Sequence, residues 1–196
     1  MVQIFDNMIL EEERVFLLNY VTKIDEDSQH TQTMHKKFPL SETHPEFYKI
    51  VNSILSKMLP QNYIIESLVT FDNKHETKIH SHGPTSEKCI DVNLMLDAPP
   101  DDQAGTVFFD NYTNGCAYSP SMNTAQIINY KDEPFPENLR KKICNFLSPE
   151  VVYGLTLQEC VSWRPGRIMT FSRNQLHCGQ NGAQDKKFIV VNVNLP

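Results

Sequence analysis

The period of the hydrophobic pattern changes at Pro60, and this change restricts the folds that the chain can adopt. Before Pro60, apolar residues recur at helical spacing in residues 11–24 and 45–59. After it, short apolar stretches rich in β-branched and aromatic residues are separated by Pro, Gly, Asn and Asp, which is typical of strands joined by turns. Two helices followed by a run of strands predict an α+β fold, with the helices packed against one face of a sheet or barrel.

The predicted strands continue to the end of the chain, with one long interruption. They cover residues 2–5, 63–71, 89–96, 106–109, 151–157, 167–171 and 188–195. Residues 111–150 form an insert that is polar and aromatic at first and helical over residues 137–147. An insert of this length is either a lid over a binding site or a surface excursion. If it is a lid, Tyr112, Tyr118 and Tyr130 are the residues that we expect to cover a substrate.

Length and composition limit the classes of function. The chain has 196 residues, which suits one domain, and its 40% apolar fraction is enough for a core. A net charge of -6 without a long basic block disfavours a nucleic-acid partner, which needs many phosphate contacts. Neither a membrane span nor a signal peptide is expected. The five cysteines include no CxxC pair, so we expect reduced thiols in a cytoplasmic protein.

Two short segments contain residues that suit a metal and an anion. His80 and His82 occupy alternate positions of an extended stretch, so both imidazoles lie on one side. Such a pair suits a first-row transition metal, although it also occurs at a polar strand end. The second segment, PGRIMTF followed by His177, precedes Lys187 at the head of an apolar strand. Because a buried charge needs a partner, Lys187 predicts an anionic ligand.

The order of these segments resembles a known family. An early HxH, a GTVFF strand, PGRIMTF, a distal His and a basic residue about ten positions later are similar to the prolyl-4-hydroxylase-like branch of the Fe(II)/2-oxoglutarate-dependent oxygenases. The opening IFDNMILEEER also resembles that branch. The resemblance implies a double-stranded β-helix (jelly-roll or cupin-like) core that makes residues 1–196 a single domain. Residues 1–60 would then be its helical support, and residues 111–150 the insert.

The resemblance also assigns roles to individual residues. His80 and His177 match the two metal-binding histidines, and Lys187 matches the residue that pairs with the C5 carboxylate of 2-oxoglutarate, with Lys186 as the neighbouring alternative. His82 stands where the family pattern has Asp or Glu. It is therefore either the third metal ligand and part of the catalytic set or a residue behind another ligand.

Two further residues are candidates for binding the co-substrate, namely Asn93 and Ser172. In residues 89–96 the apolar positions alternate with Asp91 and Asn93. If the apolar face packs under the helices, these two polar residues line the cavity; otherwise they point to solvent. In the last strand, Lys187 shares a face with Ile189, and we expect that face to point inward.

The implied activity is the oxidation of a C–H bond with Fe(II), 2-oxoglutarate and O₂, with ascorbate as a reductant. The expected substrate is a small molecule or a peptidyl side chain. One alternative is a cupin-type metal dioxygenase that does not use 2-oxoglutarate, whose motif would include Glu87 and Asn181. Another is a non-catalytic β-helix binding module. The HPE triplet at residues 44–46 is read as a helix start, not as a metal motif.

Overall fold

The computed structural model describes residues 2–27, 42, 44–73, 78–82, 88–98, 104–114, 117–118, 127–180 and 186–196. Its strands are β1 (Gln3–Phe5), β2 (Ile64–Asn73), β3 (Ser81–His82), β4 (Cys89–Asp97), β5 (Gly105–Thr113), β6 (Ala117–Tyr118), β7 (Ile127–Ile128), β8 (Leu157–Ser162), β9 (Ile168–Ser172), β10 (Gln175–Gly179) and β11 (Lys186–Asn194). Its helices are α1 (Glu11–Asp27), α2 (Pro45–Ser56), α3 (Glu137–Ile143) and α4 (Pro149–Val152).

The strands form two main antiparallel sheets. The larger has the order β1-β9-β4-β11-β2, so that β4 and β11 lie inside it with neighbours on both edges. In the smaller sheet, β5 pairs with β10 along one edge and with β8 and β7 along the other. Strands β3 and β6 form a separate short pair. Most neighbouring strands are distant in sequence, which is the topology expected of a double-stranded β-helix.

The first helices cover the outer face of the larger sheet. Apolar residues of α1 and α2, among them Leu17 and Phe47, pack with alternate residues of the sheet such as Val92 and Val191. Three acidic residues occupy the first turn of α1, where the helix dipole favours negative charge. Pro45 begins α2, where its missing N–H costs nothing. None of the helices in the described ranges combines the length and the apolar character that a bilayer crossing needs.

The second core lies between the two sheets, and a third lies behind the smaller sheet. Met95 and Phe188 of the larger sheet pack with Phe108 and Trp163 in the space between the sheets. On the opposite face of the smaller sheet, residues of α3 and α4 cover strands β5 and β10. The space between the two sheets, here called the cavity, is therefore lined by residues of both sheets.

The predicted strand at residues 151–157 is wrong. Ser148 is followed by Pro149, which begins the short helix α4, and the strand starts later, at Leu157. Gly154 adopts a φ of 77°, and a side chain there would collide with the ring of Tyr130. The β-branched pair at residues 151 and 152 suggested a strand, but Ser148 and Pro149 begin a helix that includes this pair. The predicted helix at residues 137–147 is shorter, ending at Ile143.

An ion pair ties the N-terminal strand to the core, and it provides a test of the fold. Arg167 donates through Nε and Nη2 to the two carboxylate oxygens of Asp6, at 2.7 and 2.8 Å. The hydrogen bond from Arg167 lowers the pKa of Asp6, against the opposing effect of burial. A carboxyl group with a lowered pKa stabilises the folded state above its unfolded pKa and loses that effect as the pH falls through the folded pKa.

We therefore expect Asp6→Asn to destabilise the protein at neutral pH and to have a vanishing effect in acid. The loss in free energy of unfolding at pH 7 should not exceed about 1 kcal/mol, because the Asp6 side chain is 47% exposed and solvent screens the pair. Urea denaturation of both proteins at a series of pH values measures the difference. A difference that stays constant from pH 7 to below the unfolded pKa would contradict this account.

Candidate metal centre

Backbone pairing brings two distant histidines together. His80 and His177 form an antiparallel bridge, in which each backbone N–H donates to the other residue's carbonyl, at 3.0 and 3.1 Å. His177 lies in β10, next to Phe108 of β5, and its side chain projects into the space between the sheets. The sequence predicted only a bend around His177, because a strand of five residues that includes His and Gly has a weak strand pattern.

The third histidine completes a cluster. His82 lies two residues after His80, in β3, on the same side of the extended chain. One ligand atom from each of His80, His82 and His177 lies within 4.8 Å of the other two. The ring centroids are 4.2 Å apart for His80 and His177, 4.9 Å for His80 and His82, and 5.0 Å for His82 and His177. The three imidazoles therefore surround one point.

Hydrogen bonds determine which nitrogen of each ring is available. The Nδ1–H of His80 donates to the carbonyl of Lys78 at 2.8 Å, and the Nδ1–H of His177 donates to the carbonyl of Gln175 at 3.0 Å. A carbonyl can only accept, so the proton of both rings must be on Nδ1. The Nε2 lone pairs are left for a metal. Metal-binding histidines are commonly oriented in this way by a hydrogen bond on the other nitrogen.

The third ring is oriented by a carboxylate. Nδ1 of His82 donates to Oδ2 of Asp91 at 2.5 Å, which leaves its Nε2 for the cluster. Asp91 is completely buried and projects from β4 into the cavity. The sequence raised a cavity position for Asp91 and Asn93, and the structure confirms that position, because the alternating apolar residues of β4 pack under the helices. The contact between Asp91 and His82 was not predicted.

The environment keeps the two bridged histidines neutral. Burial lowers the pKa of His80 to about 4, with a smaller effect from His82. Burial also lowers the pKa of His177 well below its usual value, and the other two histidines add to the effect. The positive charge of Lys186 also lowers the pKa of both rings, with a smaller effect than burial. Neutral imidazoles are the form that binds a metal.

The prediction that Lys187 points inward is wrong. Lys187 shares a face of β11 with Ile189, as predicted, but this face packs against the helices, and the Lys187 ammonium group donates to Oγ1 of Thr22 in α1 at 2.9 Å. Lys186 is the residue on the cavity side. It is 2% exposed, and its Nζ lies 4.2 Å from the centre of the Trp163 ring. A cation over an indole ring is a favourable contact.

The two other predicted co-substrate residues differ in position. Asn93 is buried, on the cavity face of β4 two residues beyond Asp91, and within the described part of the chain its Oδ1 has no hydrogen-bond partner. Ser172 lies on the opposite side, because it alternates with Phe171, whose ring contacts His177. The Ser172 hydroxyl donates to Oδ1 of Asn174 at 2.6 Å. The prediction that Ser172 binds the co-substrate is therefore wrong.

The remaining sequence candidates are outside the cluster or outside the described residues. His44 precedes α2, as expected for a helix start, and its ring contacts Tyr20, which was not predicted. Glu87 and Asn181, which a cupin-type motif would use, lie outside the described residues. Tyr130 packs near Tyr153 behind the smaller sheet, with a ring distance of 6.4 Å, and so does not cover the cavity.

Tyr112 is the tyrosine of the insert whose described position allows contact with a ligand. Tyr112 alternates with Asn111 in β5, and Asn111 is buried behind the smaller sheet, where its side-chain amide donates to the carbonyl of Asn129. The Tyr112 side chain therefore lies on the cavity side of β5. Nothing is described of the side chain of Tyr118.

Comparison with known proteins supports the fold and not a close relationship. No protein-family model and no curated protein sequence matches the chain. HygX from Streptomyces hygroscopicus, solved with nickel and 2-oxoglutarate bound, matches with a TM-score of 0.56 at 11% identity, over 99% of this chain and 82% of that one. EctD from S. alaskensis, solved with 2-oxoglutarate and 5-hydroxyectoine, matches with a TM-score of 0.54 at 12% identity, over 99% and 72%.

A third match has almost the same length as this chain. The viral collagen prolyl hydroxylase vCPH from Paramecium Bursaria Chlorella virus-1, in its 2-oxoglutarate complex, has a TM-score of 0.50 at 13% identity, over 100% of this chain and 96% of that one. These likenesses confirm the predicted double-stranded β-helix fold. The cluster of His80, His82 and His177 fits the HxH…H pattern of the sequence.

Proposed function

We propose that the protein is a non-haem Fe(II)- and 2-oxoglutarate-dependent oxygenase that oxidises a C–H bond. The observation that carries the proposal is the convergence of three imidazoles, each with Nδ1 engaged in a hydrogen bond, between the sheets of a double-stranded β-helix. Solved structures with this fold that contain 2-oxoglutarate support it. The net charge of -6, without a long basic block, disfavours a nucleic-acid substrate.

The residues present fit the metal. Three neutral nitrogen ligands on one side of an ion leave the opposite side open, which is what a reaction with two further ligands requires. His80, His82 and His177 would hold Fe(II), and the bound iron would supply the activation of O₂. The rings of Phe171 and Phe108 lie 4.8 and 5.9 Å from His177, so this wall of the site excludes water.

Two buried side chains near the cluster also suit a dicarboxylate. Lys186 provides a buried positive charge on the cavity side of β11, and its electrostatic effect on His80 and His177 supports a location within range of the cluster. Asn93 adds a buried side-chain amide, with an Nδ2 donor, on the cavity face of β4. Lys186 would bind the C5 carboxylate of 2-oxoglutarate, and Asn93 would donate a hydrogen bond to the co-substrate.

The substrate is proposed only by class, as a small molecule or a peptidyl side chain. Among proteins of this fold, one was solved with 5-hydroxyectoine and another is a collagen prolyl hydroxylase, which supports both classes. We propose that residues 111–150 contribute to the cover of the site, with Tyr112 as the side chain that meets the substrate. The whole chain, residues 1–196, would form one oxygenase domain with residues 111–150 as its insert.

The test is the formation of succinate from 2-oxoglutarate. Purified protein supplied with Fe(II), ascorbate, O₂ and 2-oxoglutarate should produce succinate, slowly without a substrate and faster once a substrate is found. Omission of Fe(II), or replacement of Fe(II) by Zn(II), is the control. Metal-dependent O₂ consumption without succinate would favour the cupin-type dioxygenase. Absence of bound iron after anaerobic purification would favour the non-catalytic binding module.

We also propose a reducing compartment, such as the cytoplasm. Cys89, Cys144, Cys160 and Cys178 are free thiols, and Cys160 is exposed. Burial raises the pKa of Cys144 to about 11, so this thiol is protonated and unreactive at neutral pH. Free thiols of this kind support a cytoplasmic protein.

A further inference from the structure

We propose that Asp91 is a positioning residue that orients His82 toward the metal and supplies the negative charge that the HxH motif lacks. This inference rests on the metal site of the proposed function. The family pattern has a carboxylate at the position of His82, and the structure has a buried carboxylate directly behind His82 instead.

The fold holds Asp91 rigidly in place, and Asp91 in turn positions the side chain of His82. Asp91 lies in β4, which pairs with β11 on one side and β9 on the other, and its side chain is completely buried. The His82 side chain is 25% exposed and belongs to a two-residue strand. The 2.5 Å hydrogen bond from Nδ1 of His82 to Oδ2 of Asp91 is therefore the contact that selects the ring orientation and the tautomer.

Glu66 offsets the positive charge that Arg173 places next to Asp91. Nε of Arg173 lies 3.5 Å from Oδ1 of Asp91 and would cancel that charge if it had no other acidic partner. However, Nη1 of Arg173 donates to Oε2 of Glu66 at 2.8 Å. Asp91, Arg173 and Glu66 thus form a group with a net charge of -1, and Asp91 is its acidic member in contact with the third imidazole.

The negative charge of Asp91 replaces the charge of the carboxylate ligand that this site lacks. A metal dication with two imidazoles and one carboxylate has a net charge of about +1, whereas three neutral imidazoles leave it at about +2. A carboxylate that accepts a hydrogen bond from a ligand imidazole increases the basicity of that ligand, so it returns part of the charge through the ring. We infer that Asp91 is what allows His82 to replace a carboxylate in this site.

The experiment measures Co(II) binding, because Co(II) reports its ligands through its visible absorption bands. Asp91→Asn keeps the size of the side chain and removes the charge. We expect it to weaken Co(II) binding by about 10–100-fold and to shift the absorption bands of bound Co(II). The matched control is Asp97→Asn, the same substitution at the end of the same strand, where the carboxylate contacts the backbone N–H of Ala98. Its affinity and spectrum should equal those of the wild type.

A double-mutant cycle separates action through His82 from a general loss of structure. In a His82→Gln background, Asp91→Asn should weaken Co(II) binding by less than about 3-fold, because the ring that it orients is gone. Equal weakening in both backgrounds would overturn the proposal, as would unchanged binding by Asp91→Asn or no Co(II) binding by the wild type.

A second variant, at a partly exposed position, keeps the proposal testable if the buried substitution Asp91→Asn prevents folding. Glu66 is 36% exposed, and Glu66→Gln frees Arg173 to neutralise Asp91. We expect a weaker affinity for Co(II), by less than about 10-fold, with the fold intact by circular dichroism. Unchanged affinity would contradict the charge argument. Succinate formation is measured separately, so a protein that binds Co(II) with these differences and forms no succinate contradicts the proposed oxygenase and leaves the role of Asp91 standing.

Discussion

His177→Ala should abolish both iron binding and succinate formation. His177 is buried, its Nδ1–H donates to the carbonyl of Gln175, and its backbone is bridged to His80, so its ring is fixed in the cluster with Nε2 left for the metal. Loss of a ligand should cost more than the about 10–100-fold in affinity that loss of an outer partner costs. Iron content after anaerobic reconstitution and succinate yield measure the two effects.

The control for this variant is another histidine outside the cluster. His44 contacts Tyr20 at the start of α2, and His44→Ala should retain about one iron per chain. Circular dichroism checks that both variants are folded. If His177→Ala still binds iron and forms succinate at the wild-type rate, the metal centre is not at this cluster and the proposed function is wrong.

Lys186→Met should raise the concentration of 2-oxoglutarate needed for half-maximal succinate formation, and Lys187→Met should not. The two lysines are neighbours in β11, but Lys186 lies on the cavity side beside Trp163, whereas Lys187 donates to Thr22 on the helix side. A hydrogen bond to a charged group contributes about 1.5–3 kcal/mol, which corresponds to a change of about 10–150-fold. Methionine keeps the length of the side chain and removes only the charge.

Iron binding separates this effect from a damaged metal site. Lys186→Met should bind iron as well as the wild type does, because Lys186 contacts Trp163 and is not a ligand. A selective increase in the 2-oxoglutarate requirement for Lys187→Met, with no change for Lys186→Met, would show that the co-substrate binds on the other face of β11. It would also contradict the side-chain directions described above.

The sequence was informative where a pattern depends on neighbouring residues. Alternation along an extended chain is a local property, so His80 and His82 were correctly expected on one side, and Lys187 was correctly grouped with Ile189. Helical spacing and the proline at residue 45 located both long helices to within a few residues. The resemblance to a known family gave the double-stranded β-helix, which the solved structures confirm.

The predictions from the sequence were wrong where distant residues decide between two secondary structures that the local sequence allows. Residues 148–152 contain both the Ser-Pro start of a helix and the β-branched pair that is typical of a strand, and the packing of Val152 behind the smaller sheet decided for the helix. The strand around His177 was missed because it exists through its pairing with β5. Propensity is a weak guide when tertiary contacts compensate for it.

The sequence by itself determined the set of chemical groups and which of them share a side of a strand. It did not determine which side of each strand is the interior, because alternation produces two equivalent faces until helices cover one of them. Packing of α1 and α2 on the larger sheet made that choice. It placed Lys186 in the cavity, turned Lys187 and Ser172 away from it, and brought Asp91 to His82.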